Sequence, residues 1–492
     1  MNSKFELKIF LLKGGVNLSL EFSTVALNDI VSLVIDYRGK TPKKLGADWS
    51  ESGIRALSAK NIKTGQIIRE DAIRYVDIEL YNKWMKDEIK RNDILITSEA
   101  PFGEVFFWDS DEKIVLSQRL FGVRCDENKV DPKFIYFYMT SEMFQWELQS
   151  RATGTTVKGL RQPELLKCQI QLPNIDNQRR ISYILSNIES KINVLKELNK
   201  HLEQQLLEIF DSWFFKFELS DEFIESSLGS IPKGWSIDNL GSKKSCSIIG
   251  SGIDDFDNQK IYIATADVDN STITNNETLI TIGNKPSRAN MQPVEKSIWF
   301  AKMIDSRKLM MVDDYCYDLL NNYIFSTGFC GLKCEEEYFY YLWTFLLTDT
   351  FNTIKNNFCT GTTMQAINNK DTQLIEFVIP DIEILSRFNE IAEPMYKKIY
   401  YNDLKIKNLQ KLRDTLLPKL MSGEIDVSQL NCDFIILMKV ICYIQCSIME
   451  ICENENEDYF KYSKPNETLF ESRAIHEINK FFVKFFERYR YC

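Results

Sequence analysis

The side chains with chemistry to offer in this sequence are basic and amide groups gathered around turn residues. The stretch DYRGKTPKK, Asp36–Lys44, sets Arg38, Lys40, Lys43 and Lys44 about a glycine and a proline, with Tyr37 and Thr41 as hydrogen-bonding neighbours. Such a loop suits phosphate oxygens. Close behind it, LSAKNI supplies Ser58, Lys60 and Asn61, and an asparagine amide carries the donor and acceptor pair that matches an adenine edge. Much later, NKPSRANMQP carries Lys285, Arg288 and Asn290, and WFAKMIDSRK carries Lys302, Arg307 and Lys308. Two short polar turns, ATGTT from Ala152 and CTGTT from Cys359, add Thr155 and Thr156, with Lys158 just after, and then Thr362 and Thr363. Hydroxyls of this kind suit a sugar–phosphate backbone. Taken singly, each stretch reads equally well as a solvated loop.

Other chemistries are thinly supplied. His201 and His476 are the two histidines of the chain, which argues against a Ser/His/Asp triad or a multi-histidine metal site. An adenine methyltransferase needs an Asn-Pro-Pro-aromatic motif and a glycine-rich cofactor loop; the first is missing, and Gly250 and Gly252 lack a third glycine. Glu88, Ile89 and Lys90 have the form of the end of a metal-dependent nuclease motif, without the preceding carboxylate. Cys432, Cys442, Cys446 and Cys452 with His476 imitate a zinc set, but their spacing on an apolar face reads as a packed helix. The chain is expected to be non-catalytic, with no cofactor and no metal of its own.

Composition sets the frame for these groups. The chain has 492 residues, 44% hydrophobic and 26% charged, enough for two or three domains. With 60 Lys and Arg against 70 Asp and Glu, the net charge is −10, so a polyanion must be held by local basic patches. Twelve cysteines, mostly scattered singly, suit a reducing compartment, and a cytoplasmic location is expected. The N-terminus is punctuated by Lys4, Glu6, Lys8 and Lys13 and reads as a leading strand. The apolar run Phe434–Cys452 carries Lys439, Gln445 and Glu450, which favours a buried helix over a membrane span.

The elements that must position the basic loops come in two copies. Thr153 recurs as Thr360, an offset of 207, and at the same offset Leu160 matches Ile367, Pro173 matches Pro380 and Asp176 matches Glu383. Upstream, Phe22 matches Trp235 and Leu27 matches Leu240 at an offset of 213. A period this long is a whole domain with its connector, used twice. Within each copy, DILITS, KIYIATADV and SIWFAKM read as short strands, while DPKFIYFYMTSEMFQWEL and EEEYFYYLWTFLLTDTFNTI read as helical. Each copy is an α+β domain by this pattern. Each closes on an extended stretch ending in proline, QIQLP or EFVIP, and a long helix starts directly afterwards.

Both long helices carry a heptad seam. The first runs Ile181, Leu185, Ile188, Ile192, Leu195, Asn199, Leu202, Leu206, Ile209 and Trp213. The second runs Phe388, Ala392, Met395, Ile399, Asn402, Ile406, Leu409, Arg413, Leu416 and Leu420. An antiparallel pairing that sets Asn199 against Asn402 also sets Ile192 against Leu409 and Leu206 against Met395, so each seam asparagine finds a polar partner. A rod of about 35 residues is roughly 50 Å long, comparable with one to one and a half turns of duplex DNA. Two related domains on such a rod suit a bipartite site whose halves differ in sequence.

With these features in hand, the chain resembles the specificity subunit of type I restriction–modification enzymes. The resemblance runs from about Phe22 to about Val427 and rests on IPKGW at Ile231, DYRGKTPKK at Asp36, the TGTT turns, LPNIDNQRRISYIL at Leu172 and LLPKLMSGEI at Leu416. It implies a target recognition domain over 1–173, a spacer helix over 174–220, a second recognition domain over 221–380 and a second spacer helix over 381–427. A helical extension of unknown role follows over 428–492. It also implies binding to double-stranded DNA and docking of two methyltransferase subunits that modify adenine N6 with S-adenosylmethionine. A restriction subunit using ATP and Mg can join them. Gln178, Arg179 and Arg180 fall at the first spacer start, where the second copy is read as Ile384, Leu385 and Ser386. Two other classes stay open on the residues alone: a coiled-coil adaptor that binds proteins, and a self-contained nuclease working through Glu88.

Overall fold

The computed structural model describes residues 21–154, 158–362 and 364–428. The leading strand read at the N-terminus, the apolar run after Phe434 and the imitation zinc set lie outside the described residues. The chain divides into two compact units, Met1–Ile192 with Lys407–Cys492, and Asn193–Ile406. Each takes a stretch of both long helices.

In the first unit, a four-stranded antiparallel sheet has the spatial order Val31–Asp36, Leu120–Cys125, Asp93–Ser98, Phe102–Trp108. Asp93–Ser98 is buried at every residue, which is why Ile94, Leu95 and Ile96 follow one another without alternation. A three-stranded sheet packs beside it, with Ile54–Leu57 between Arg74–Val76 and Ile114–Leu116, the last running parallel to it. The second unit repeats the plan. Its four strands are ordered Cys246–Ile248, Phe329–Cys334, Ser297–Ala301, Leu309–Val312, and Lys260–Ile263 pairs in parallel with Tyr323–Ser326 in the second sheet. With Leu279–Ile280 on one edge and Ala289–Met291 on the other, this second sheet here also has four strands. Each copy is α+β, as its sequence pattern predicts.

Two details show that the duplication reaches the packing. Gly122 and Gly331 occupy the central strand of each sheet, and a Cβ at Gly331 would lie 2.4 Å from the Trp299 ring, one at Gly122 2.7 Å from Ile89 Cδ1. A large side chain lies over the backbone at both places. Each sheet also ends in a buried ion pair. Arg124 holds Asp93 at 2.7 Å and Lys296 holds Asp313 at 2.7 Å, with both aspartates fully buried. Tyr340 Oη completes the second pair by donating to Asp313 at 2.6 Å.

The single helical patterns after Asp131 and Glu335 are each two helices. Pro132–Thr140 gives way to Glu142–Ser150, and Phe339–Leu347 to Asp349–Asn357. The break falls at Ser141 and Thr348, whose side chains cap the second helix by accepting from Phe144 N and Phe351 N. From there to the end the copies stay in step at 207. Gln169–Leu172 and Glu376–Ile379 are strands pairing with Ser23–Ala26 and Ser236–Asn239, and the long helices begin at Ile175 and Ile382.

Those long helices, Ile175–Phe210 and Ile382–Met421, pair antiparallel. In the second unit Asn402 Nδ2 donates to Asn199 Oδ1 at 2.7 Å, and Asn199 Nδ2 donates to Asp403 at 2.9 Å. Leu206, Phe210, Phe388, Ala392 and Tyr396 share one buried cluster there. In the first unit Arg413 reaches Glu189 at 3.9 Å, while Ile192 and Leu409 are buried. The first helix continues through one π turn, Asp211–Phe215, that turns Phe214 into the aromatic core. The matched helix starts also correct one alignment. Gln178, Arg179 and Arg180 stand opposite Leu385, Ser386 and Arg387, so one of the two arginines is retained.

Candidate nucleic-acid interface

The end of each sheet away from its buried ion pair collects the polar loops. In the first unit Ser98 N donates to Arg119 O at 2.8 Å, Leu160 N donates to Ser98 O at 3.0 Å, and Thr153 and Gly159 exchange backbone hydrogen bonds. Ala59 N donates to Gln118 O, which brings the Ser58–Asn61 turn to the same end. In the second unit Lys302 N donates to Gly328 O at 3.0 Å, Ile367 N to Lys302 O at 2.9 Å, and Thr360 and Ala366 exchange the same pair of bonds. Thr327 N donates to Arg288 O, which brings in the Lys285–Asn290 loop. One backbone frame is therefore built twice, and it gathers stretches more than a hundred residues apart. It tethers the TGTT turns beside the ends of Asp93–Ser98 and Ser297–Ala301.

Within this frame the basic residues divide into those tied inward and those left outward. Arg38 is tied on every side. Its Nε and Nη2 each hold Asp36 at 2.9 Å, Nη1 donates to Leu160 O at 3.0 Å, and the guanidinium lies 3.9 Å from the Phe121 ring centre. It locks the Asp36–Lys44 loop to the neighbouring turn. Lys40 donates to Trp84 O at 2.7 Å over the Tyr37 ring, and burial pulls its pKa below the ordinary lysine value. Tyr37 Oη donates to Asp87 and accepts from its backbone N–H, and burial raises the phenol's pKa. Thr41 Oγ1 accepts from Lys44 N, and Lys44 Nζ reaches back to Gly39 O at 2.7 Å. Lys43, Lys60 and Lys158 are exposed.

Asn61 requires a correction. It is 4% exposed, its Oδ1 accepts from Ser58 N and Oγ, and its Nδ2 faces Ile68 O and Arg69 O. Asp267 makes the matching cap in the second unit, accepting from Ala264 N at 2.8 Å. A position filled equally well by a carboxylate serves the turn. The side chain that closes the turn has no edge left for a base.

In the second unit Lys285 donates to Ala289 O, Lys302 to Thr327 O and Lys308 to Thr265 O. An ammonium has three donors, so one internal bond still leaves others for an anion. Arg288 is exposed, Asn290 is half-buried with its backbone bonded to Arg288 O and Gly252 N, and Arg307 pairs with Asp349. Thr362 is exposed, while Thr155, Thr156 and Thr363 lie outside the described residues.

Groups missed from the sequence stand in the same frame. Arg119 and Glu99 form an ion pair at 3.0 Å in the first unit, and Met303 and Met364 are exposed in the second. A gapless comparison at 207 does not set Glu99 against Met303 or Arg119 against Gly328, because the loops before them differ in length between the copies. Away from the frame, the nuclease-like fragment is neutralised: Glu88 accepts from Lys113 at 2.7 Å, which lowers its pKa. Among the described residues no group of three His, Cys, Asp or Glu side chains could hold a metal. No helix among them is long and apolar enough to cross a membrane.

Comparison with known proteins bears on this geometry. Residues 20–204 match the family described as Type I restriction modification DNA specificity domain. The MjaIX specificity subunit of Methanocaldococcus jannaschii, a type I restriction enzyme component, is 28% identical over 376 residues, spanning 74% of this chain and 82% of its own. Over these spans the chain is similar to type I specificity subunits. Another of these subunits, that of HindI from Haemophilus influenzae, is 21% identical over 405 residues and spans 69% of this chain and 88% of its own. Among solved structures, the type I S subunit from M. genitalium covers 82% of this chain and 97% of its own at 14% identity, with a TM-score of 0.46.

Proposed function

We propose that this chain is the DNA-reading subunit of a type I restriction–modification complex, each loop cluster reading one half of a bipartite site. The observation that carries the reading is the twice-built backbone frame, which presents different side chains from equivalent positions. The exposed cations Lys43, Lys60 and Lys158 in one unit and Arg288 in the other, together with the donors that Lys302 and Lys308 have left beyond their internal bonds, hold phosphates and set the pose. Neighbouring side chains then meet base edges. The antiparallel long helices set the gap between half-sites and dock two methyltransferase subunits. Those partners supply S-adenosylmethionine chemistry at adenine N6, and a restriction subunit using ATP and Mg joins them in the cytoplasm. This chain supplies no catalytic group.

The test is methylome sequencing of a host with and without the gene for this chain. The expected result is the loss of one bipartite motif of methylated adenines. An unchanged methylome in a host whose methyltransferase subunits are expressed overturns the reading.

A further inference from the structure

The two frames differ most sharply just beyond Ser98 and Lys302. The shared hydrogen bonds make Ser98 equivalent to Lys302 and Arg119 equivalent to Gly328. The next residue is Glu99 in the first unit and Met303 in the second. Where one unit carries an arginine–glutamate pair, the other carries a methionine beside a glycine. Met303 is 44% exposed, and Met364, across the turn from it, is 76% exposed.

These methionines are held in place by backbone. Met303 forms an isolated bridge with Ala366, Ile304 N donates to Gln365 O at 3.0 Å, and Ala366 also bridges Thr360. Gly361, at φ +130°, brings the turn so close to Met364 O that a Cβ there would lie 2.8 Å from it. The turn is compact and presents its thioether outward. Lone exposed apolar residues are ordinary, but here two stand on segments tethered to each other by backbone, with Lys302 next to Met303 in the chain. That mixture of cations and apolar tips fits a nucleic-acid groove. In the major groove the one apolar group on a base edge is the thymine C5-methyl, and a flexible thioether packs against such a group with little geometric demand.

Resting on the DNA-reading function proposed above, we infer that Met303 and Met364 are specificity-determining residues that pack against thymine methyl groups in the half-site read by the second unit. The first unit offers an ion pair at the matching place and reads its half by hydrogen bonds.

The test uses the complex assembled with the host's methyltransferase subunits and a duplex carrying the motif found by methylome sequencing. Each thymine is replaced in turn by deoxyuridine, which deletes the methyl and keeps every hydrogen bond. Losing one packed methyl should weaken binding about three- to fivefold. The expected result is that loss at one or two thymines of a single half-site, and its disappearance in the double variant Met303→Ser, Met364→Ser. Unmodified duplex bound tightly with no uracil-sensitive position overturns the inference. So does sensitivity that persists in the double variant. If the unmodified duplex is not bound, the DNA-reading function fails first and this inference falls with it. The wild-type scan needs no variant, so a folding defect cannot mask the outcome.

Discussion

A charged side chain can do outside only what its inner partners leave over, and the loop from Asp36 to Lys44 shows both cases within a few residues. Arg38 spends its guanidinium on Asp36, Leu160 O and the Phe121 face, whereas Lys43 is exposed. Arg38→Ala should therefore cost about 1–2 kcal/mol of stability, as a charge-assisted hydrogen-bond set is lost. A urea midpoint equal to that of the parent would refute this. Lys43→Ala should leave the midpoint alone, weaken DNA binding evenly across sequences and reduce the slope of log affinity against log salt by about 1. Sequence reading ranked these two residues alike. It had no access to Leu160 and Phe121, which lie more than eighty residues away in the chain.

Polar residues in an apolar helical seam fix register, because every misaligned pairing buries an amide without a partner. Asn199 and Asn402 do this by a direct 2.7 Å hydrogen bond, with Asn402 only 1% exposed. Asn199→Leu removes that acceptor from a buried amide and should cost about 1–3 kcal/mol. Adding Asn402→Leu should restore much of the loss, since two apolar groups can replace a buried polar pair. Thermal unfolding of the two single variants and the double variant measures the coupling, and strictly additive losses would count against it. In the assembled complex, Asn199→Leu should also shift or erase the preferred gap between half-sites. The antiparallel sense of the helices was legible beforehand because heptad spacing and polar positions are properties of the local chain. The breaks at Ser141 and Thr348 were not, since a cap is one side chain in an otherwise continuous helical pattern.

For the molecule as a whole, the titration of its buried groups has a predominant sign. Burial pushes the thiols of Cys125, Cys168, Cys316 and Cys330 up to about 12 and that of Cys246 to about 11, and the buried phenols of Tyr341 and Tyr396 rise as well. The folded-state pKa of each thiol lies above the ordinary value of 9.0, so its contribution is complete below pH 9 and is lost as pH climbs from there toward the folded value. Lys355 works in the opposite direction. Burial lowers it to about 8 from 10.5, so its burial cost is relieved across that interval. Lys40 is lowered in the same way, but burial also raises the thiols of Cys334 and Cys359, so two lysines stand against seven thiols and the net is a loss. The urea midpoint, measured under reducing conditions, should fall between pH 8 and pH 10.5; a rise would contradict the burial assigned to these groups.

What the chain announced in its own order of residues was whatever repeats or alternates locally. The duplication, the α+β pattern of each copy and the facing seams all follow from spacing that survives between neighbours, and from the second short helix of each copy onward the offset never drifts. Tertiary structure decided which cations remain outward, that Asn61 closes a turn, and that Glu99 with Arg119 in one unit stands where the other has Met303 with Gly328. These outcomes depend on partners brought together from distant stretches, and the intervening loops differ in length between the copies. A comparison along the chain loses step there, while the hydrogen bonds of the folded frame keep it.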